Sequence, residues 1–322
     1  MRALCVFSGG LDSMLAAELI RAQGVEVLGL FFETPFFTAG TAGKSARSMY
    51  LPFKVVDITQ RHLEVVRHPK HGYGGNMNPC IDCHALMFRI AGEMLRQEKA
   101  SFVFTGEVLG QRPMSQNRQS LSLIAYESDL NDLLVRPLSA KLLPITIPER
   151  EGWVKRDLLM RLNGRSRKPQ MELAEKLNVK GYPAPAGGCL LTDKLFSRRL
   201  KDLMLSNDNL EPGEIEALKL GRHFRIGPGT KLVVGRNKKE NEAIQALSRE
   251  NDLILTAISA PGPTVLVSGV FSDSAVDLAA AITLSYSDVE EGMTCPVRVT
   301  GKEEKILEVM VSEKEKFRRY MI

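Results

Sequence analysis

No stretch of the 322 residues is apolar for long enough to cross a bilayer as a helix, which takes about 20 consecutive apolar residues, so a membrane-spanning role is not expected. An export signal is not expected either, because Met1-Arg2-Ala3 leads straight into a strand-like run. Five cysteines, an odd number, in such a chain read as reduced thiols of the cytoplasm rather than structural disulfides. Metal binding and catalysis are then the uses left for them. Neither an internal repeat nor a low-complexity tract is present.

What is there is ordinary in bulk and uneven in detail. With 44% hydrophobic and 25% charged residues, the chain has the composition of a globular protein, and its length suggests two domains. Residues 1–200 carry eight more basic than acidic side chains, whereas residues 201–322 carry three fewer. The excess is densest around Arg150, Lys155, Arg156, Arg161, Arg165, Arg167 and Lys168. That is either the footprint of a polyanion such as RNA or a solvated helix face.

Apolar runs at 2–7, 25–32, 54–59 and 101–107 read as strands, with helical patterns at Ser13 to Gln23 and Leu86 to Gln97. Strands alternating with helices predict an α/β fold with a parallel sheet, whose functional residues sit at the carboxyl ends of the strands. After Pro148 the chain is expected to be helical and basic, then to turn through the Pro/Gly segment 181–188, which ends at Cys189. From about residue 201 the pattern changes to two short helices, strand candidates at 231–237, 252–258, 264–269, 295–300 and 305–311, and a helix at 273–284. This predicts a smaller α+β domain over 201–322 behind a parallel-sheet domain over 1–200.

The most specific local signal is Ser8-Gly9-Gly10-Leu11-Asp12-Ser13, between the first strand and the first helix. Two glycines let backbone N–H groups approach an anion, and the following helix adds its dipole, so the segment is a phosphate cradle. No Gly-Lys-Ser/Thr follows, so it is not a Walker A loop. The hexapeptide resembles the PP-loop of the ATP pyrophosphatases, a family that includes tRNA thiolases, asparagine and GMP synthetases and lysidine synthetase. The resemblance implies a Rossmann-like, adenine nucleotide alpha hydrolase-like domain that splits ATP to AMP and pyrophosphate. It further implies that Ser8, Gly9, Gly10 and Ser13 hold the pyrophosphate, with Asp12 placing Mg2+ or the acceptor. Phe31 or Phe32 would wall the adenine, unless both are simply core residues.

Asn76-Met77-Asn78-Pro79-Cys80-Ile81-Asp82-Cys83-His84 precedes the second helical pattern, and Cys189 follows 106 residues after Cys83. Cys-x-x-Cys-His is the spacing of c-type haem attachment, which needs export. A structural zinc would need a fourth ligand, His84 or His71. The third reading joins the cysteines to the loop: the pattern resembles the tRNA 2-thiouridylases and their relatives, where an early cysteine is catalytic and a later one carries persulfide sulfur. In a neighbouring branch, three cysteines so arranged bind a [4Fe-4S] cluster, and Cys80, Cys83 and Cys189 together favour that version here. Cys5 is expected to be a packing residue, and Cys295 receives no role.

Thr105-Gly106-Glu107 stands where the thiouridylases have Thr-Gly-His, so Thr105 and Gly106 join the nucleotide site by resemblance. Arg136-Pro137-Leu138 echoes a segment of theirs, whereas Gly110 to Gln116 departs from their sequence. Val233 to Asn237, Asn241, Asn251-Asp252 and Pro261 to Val265 resemble the RNA-binding domain of the NFACT ribosome-quality-control proteins. A local basic cluster of Arg222, Arg225, Lys231, Arg236, Lys238 and Lys239 suits phosphate contacts.

Together these features predict an ATP-dependent uridine thiolase acting on tRNA or another structured RNA, supplied by sulfide or a persulfide carrier. The lowered thiolate pKa expected beside a basic face would assist it. Two alternatives keep the loop: a ligase or sulfurtransferase on another substrate, and a non-catalytic ATP-sensing RNA- or ribosome-binding factor.

Overall fold

The computed structural model describes residues 1–184, 189–207 and 210–322, in two compact units, Met1–Thr192 and Asp193–Ile322. Residues 185–188 of the expected Pro/Gly loop lie outside the described residues.

The first unit runs β1 (Arg2–Val6), α1 (Leu11–Arg21), β2 (Glu26–Glu33), α2 (Gly40–Ser48), β3 (Phe53–Asp57), α3 (Thr59–Arg67), α4 (Cys80–Met94), β4 (Phe102–Thr105), α5 (Arg118–Glu127), β5 (Leu134–Val135), α6 (Ile147–Arg150) and α7 (Lys168–Lys176). Its five strands lie parallel in the order β3-β2-β1-β4-β5. Central β1 is buried on both faces, as its unbroken Ala-Leu-Cys-Val run requires. One face packs Cys5, Phe7, Phe102 and Phe104 under α1, and the other packs Leu4, Leu30 and Val103 under Leu86, Phe88 and Ala91 of α4. Each fully buried Phe or Leu stabilises the fold by about 1.5–3 kcal/mol relative to exposure. The chain steps outward from β1 to β2 and β3, then returns to β4 on the other side of β1. The crevice beyond the carboxyl ends of β1 and β4 is therefore the topological switch point of the sheet.

Three expectations need correction. The second helical pattern begins at Cys80 rather than Leu86, so the cysteine motif forms the first turn of α4, with Pro79 as N-cap. Residues 151–167 are mostly turns rather than helix, because their backbone bonds go sideways: Met160 N–H to Pro137, Leu162 N–H to Leu138 and Gly164 N–H to Leu109. Lys155, Arg161, Arg165 and Lys168 are exposed there and make no salt bridge among the described residues. Third, the sheet has a fifth strand, β5, too short to show in the pattern.

The second unit contains α8 (Lys194–Ser206), α9 (Pro212–Leu218), β6 (Arg222–Gly227), β7 (Thr230–Val234), α10 (Lys238–Ala246), β8 (Leu253–Ala257), β9 (Val265–Gly269), α11 (Asp273–Ser285), β10 (Thr294–Thr300) and β11 (Glu304–Met310). Its six strands are antiparallel in the order β11-β10-β8-β9-β7-β6. Leu232, Val234, Val265 and Val267 face α11, while Val233 and Leu266 on the opposite face meet Ile244 of α10. The sequence pattern did not reveal β6, because its buried residues, His223 and Phe224, are neighbours on opposite faces between two arginines and give no apolar alternation. Nor is the basic cluster one exposed patch: Lys231 is buried, Arg225 is paired with Asp202 and Arg236 with Glu240.

Candidate active site at the switch point

The Ser8–Ser13 loop is held from two sides and by its own hydrogen bonds. Gly9 has φ +74°, and a Cβ on it would lie 2.5 Å from the Ala42 Cα of α2. Ser45 of the same helix donates to the Gly9 carbonyl at 2.8 Å. Within the loop, Ser13 Oγ donates to the Gly10 carbonyl at 2.8 Å and lies 3.3 Å from Ser8 Oγ. Gly10 is the N-cap of α1, leaving the first N–H groups of the helix for an anion. From the other side, Gly106 closes on the turn so tightly that a Cβ there would lie 2.5 Å from Ser13 N.

Asp12 receives Gln111 Nε2 on Oδ2 at 2.8 Å, and its Oδ1 is buried without a hydrogen-bond partner. Burial pushes its carboxyl above the usual range, against the Gln111 hydrogen bond and the Arg167 and Arg112 charges. A buried oxygen so placed, beside a phosphate cradle, suits a hard cation such as Mg2+.

The cysteine motif arrives from α4. Asn78 Nδ2 donates to Cys80 Sγ at 3.2 Å, and His62 Nε2 lies 3.2 Å from Cys83 Sγ. His62 is fully buried between Phe36 and Phe37, and burial pushes its pKa down to about 4, so it meets Cys83 as a neutral imidazole. Across the site, Asn76 Nδ2 donates to the Thr192 carbonyl at 2.8 Å, and Thr192 in turn donates through its N–H and Oγ1 to the Cys189 carbonyl. This chain of bonds brings Cys189 to the Cys80–Cys83 turn. Burial, with the neighbouring sulfurs adding, raises the Cys83 thiol well above its ordinary value, and burial raises Cys189 to about 11. The lowered thiolate pKa expected from the basic surroundings is therefore not found: at Cys189 desolvation outweighs Arg112.

One cavity of about 410 Å³ joins these parts. Ser8, Asp12, Ser13, Phe31, Cys80, Cys83, Thr105, Gly106 and Cys189 all line it, while Gly9 and Gly10 shape the loop behind. Phe31 stands edge-on to Phe37, 6.4 Å between ring centres, and both rings wall the cavity. Cys5 and Cys295 are buried elsewhere. Among the described residues no three His, Cys, Asp or Glu side chains are gathered as one metal ion would need. The two histidines considered for zinc are engaged with carboxylates: His84 Nδ1 lies 2.8 Å from Glu107 Oε1, and His71 Nε2 lies 3.4 Å from Glu127.

Residues 1–141 match the family described as thiamine biosynthesis protein (ThiI). The amino-terminal unit resembles the PP-loop tRNA-thiolation proteins. A tRNA-specific 2-thiouridylase of Karelsulcia muelleri is 30% identical over 128 residues, 36% of this chain and 33% of that protein. A probable tRNA sulfurtransferase of Oceanobacillus iheyensis is 30% identical over 151 residues, 42% of this chain and 34% of that protein. The tRNA sulfurtransferase of Desulfurococcus amylolyticus is 30% identical over 148 residues, 42% of this chain and 29% of that protein. The chain thus spans about a third of the length of these curated relatives. Residues 221–321 match the family described as NFACT protein RNA binding domain. Among solved structures, a 4-thiouridine synthetase–RNA complex with bound ATP has a TM-score of 0.35 and 21% identity, covering 55% of this chain and 51% of that one.

The first unit also holds residues that the motif alone did not mark. Arg136 Nε donates to Glu107 Oε2 at 2.9 Å, both side chains buried, so the glutamate in the histidine's usual place anchors His84 and the β4 end together. Gln111, Arg112 and Gln116 line the cavity from the segment that departs from the thiouridylase sequence. That departure was the only signal for them. No helix among the described residues is long and apolar enough to cross a membrane.

Proposed function

We propose that the chain is an ATP-dependent RNA uridine sulfurtransferase, with tRNA as its substrate. The observation that carries this reading is the convergence of the PP-loop and three cysteines from two distant segments on one cavity. A ligase using an amine or small-molecule nucleophile would need no such set of thiols.

The loop and the α1 terminus receive the β- and γ-phosphates, with Asp12 Oδ1 as a ligand for Mg2+ and Phe31 beside the adenine. The uridine carbonyl oxygen attacks the α-phosphorus and pyrophosphate leaves into the loop. Adenylation makes that oxygen a good leaving group, which is why ATP is consumed. A sulfur nucleophile then adds at the same carbon and AMP departs.

Cys80, Cys83 and Cys189 suit two ways of holding that sulfur. A [4Fe-4S] cluster is supported by three half-buried thiols facing one cavity, since thiolates are the usual ligands of such clusters. Bound there, the cluster would supply an iron on which sulfide can be held. The raised thiols at Cys83 and Cys189 mean that metal loading releases protons. Without a cluster, a carrier would load Cys189 as a persulfide whose outer sulfur attacks the carbon as AMP leaves. A second cysteine thiolate would then attack the Cys189 sulfur, freeing the thiolated uridine and leaving a disulfide that a cellular thiol reductant must reopen. RNA would be held by the exposed cations of 155–168 and by the second unit.

The test is nucleoside mass spectrometry of tRNA from a deletion strain, paired with anaerobic purification and iron and sulfide assay. Loss of one thionucleoside, restored by the wild-type gene, supports the activity; an unchanged profile sinks it. Iron-free protein with full activity sinks the cluster and leaves the persulfide.

A further inference from the structure

The second unit contains a cavity of about 250 Å³ between α8, α9 and the sheet face made by β6, β7 and β9. Its floor is unusual for a sheet interior. All five residues of β7 are buried, and Lys231 is among them at 7% exposure. A lysine at such a depth is normally matched by a carboxylate of its own. Here the carboxylate is shared. Asp202 of α8 accepts two bonds from Arg225, from Nε at 3.0 Å and from Nη2 at 2.7 Å. Lys231 Nζ stands 3.4 Å from the same Oδ2 and makes no well-formed hydrogen bond.

Two cations thus share one half-buried anion, with the buried Arg199 guanidinium close enough to add to the positive field. The other carboxylates of the cavity do not relieve this. Glu214 is held by Asn207 Nδ2 at 2.9 Å and faces Arg249, and Asp252 accepts the Arg249 N–H at 2.9 Å. His223, also lining the cavity, is kept neutral by burial and by the Lys231 and Arg199 charges. Burial pushes the Lys231 ammonium down to about 8, with Asp202 opposing and Arg225 adding, so it is still largely charged at neutral pH.

We propose that this cavity is a phosphoryl-binding site, in which Lys231, Arg225 and the hydroxyl of Ser268, the cavity-lining β9 residue paired with Lys231, receive one phosphate group. A dianionic or monoanionic oxygen cluster supplies the missing negative charge and accepts the donors that Lys231 Nζ leaves unused. A phosphate fits the volume with room for an attached sugar. The source is either an RNA phosphate or a free phosphorylated metabolite, and the inference rests on the RNA-binding reading only for that choice.

Hydrogen–deuterium exchange mass spectrometry on the full chain reads the site directly, apart from the ATP loop. Inorganic phosphate, AMP and a tRNA transcript are each added, with sodium chloride of equal ionic strength as control. Slower exchange, several-fold or more, is expected in peptides covering 202–206 and 225–233 of the wild type, and its loss is expected in Lys231→Met. Lys231→Gln serves if the methionine variant misfolds by circular dichroism. Protection by inorganic phosphate or AMP supports a free metabolite, and protection by tRNA alone supports an RNA phosphate. In the second case Lys231→Met should also lower tRNA affinity and reduce its salt slope by about one. No protection by any of the three, equal protection by sodium chloride, or protection unchanged in a folded Lys231 variant overturns the site. Since RNA thiolation is read separately in cellular tRNA, failure of either inference is distinguishable from failure of the other.

Discussion

Asn76 donates its side-chain amide to the backbone carbonyl of Thr192, 116 residues away, at 2.8 Å. The bond ties the segment leading into α4 to the turn that presents Cys189, and so sets the distance between the two cysteine-bearing pieces. Removing it should leave the ATP loop untouched. Asn76→Ala is expected to lower thiolation about tenfold while ATP–pyrophosphate exchange stays within twofold. A parallel fall in both would mean that Asn76 supports the whole site rather than the cysteine geometry.

Gly106 permits a close backbone approach to the Ser8–Ser13 loop, since a Cβ there would meet the Asp12 and Ser13 backbone at 2.5 Å. Neither atom belongs to a flexible side chain, so β4 and the α1 terminus must part. Gly106→Ala is expected to cost about 1–3 kcal/mol of stability, as overpacking does, and to weaken ATP binding by at least tenfold. Thermal denaturation with and without ATP checks both. A variant with wild-type melting temperature and ATP affinity would show that the turn relaxes without consequence.

Much of this was legible in the sequence because the signal was local. The Ser8–Ser13 hexapeptide, the alternation of strands and helices and the two cysteine segments each occupy a few neighbouring residues. What escaped was set by tertiary contact. Helix α2, whose Ala42 and Ser45 brace Gly9, has Gly40 and Gly43 in it and buries only the small side chains of Ala42, Ser45 and Ala46. His62 looks like any surface histidine of a polar helix until Phe36 and Phe37 close over it. Lys231 reads as a surface cation and is instead a buried one, because β7 is covered on both faces. The direction of the thiol pKa also depends on burial, which a count of nearby basic residues does not report.

The Glu107–Arg136 pair links stability to pH. Burial by itself would raise the Glu107 carboxyl, but Arg136 and His84 outweigh it and hold it below the ordinary carboxylate range. Its folded pKa is thus depressed relative to the unfolded value of about 4.3. The stabilisation is present above that value and is lost as pH falls through the folded pKa. Glu107→Gln strands the buried Arg136 charge and is expected to cost about 3–5 kcal/mol at neutral pH. The variant's stability should also fall less steeply than the wild type's between about pH 5 and 3. Urea titrations across that range check the sign, and an identical acid slope would remove Glu107 from the account.

The cysteines separate the two halves of the proposed reaction. Adenylation uses the loop, Asp12 and the uridine oxygen, and none of these is a thiol. Cys189→Ser and Cys83→Ser are each expected to cut sulfur incorporation more than a hundredfold while pyrophosphate release with RNA present persists. Asp12→Asn should do the reverse, lowering pyrophosphate release together with thiolation, because the buried Oδ1 would lose its charge for the cation. Quenched-flow measurement of pyrophosphate beside mass spectrometry of the RNA reads both steps in one reaction. If the serine variants stop pyrophosphate release as well, the thiols act before adenylation, and the order of steps drawn from the cavity is wrong. If they leave thiolation intact, the convergence of Cys83 and Cys189 on the ATP loop has a structural meaning only.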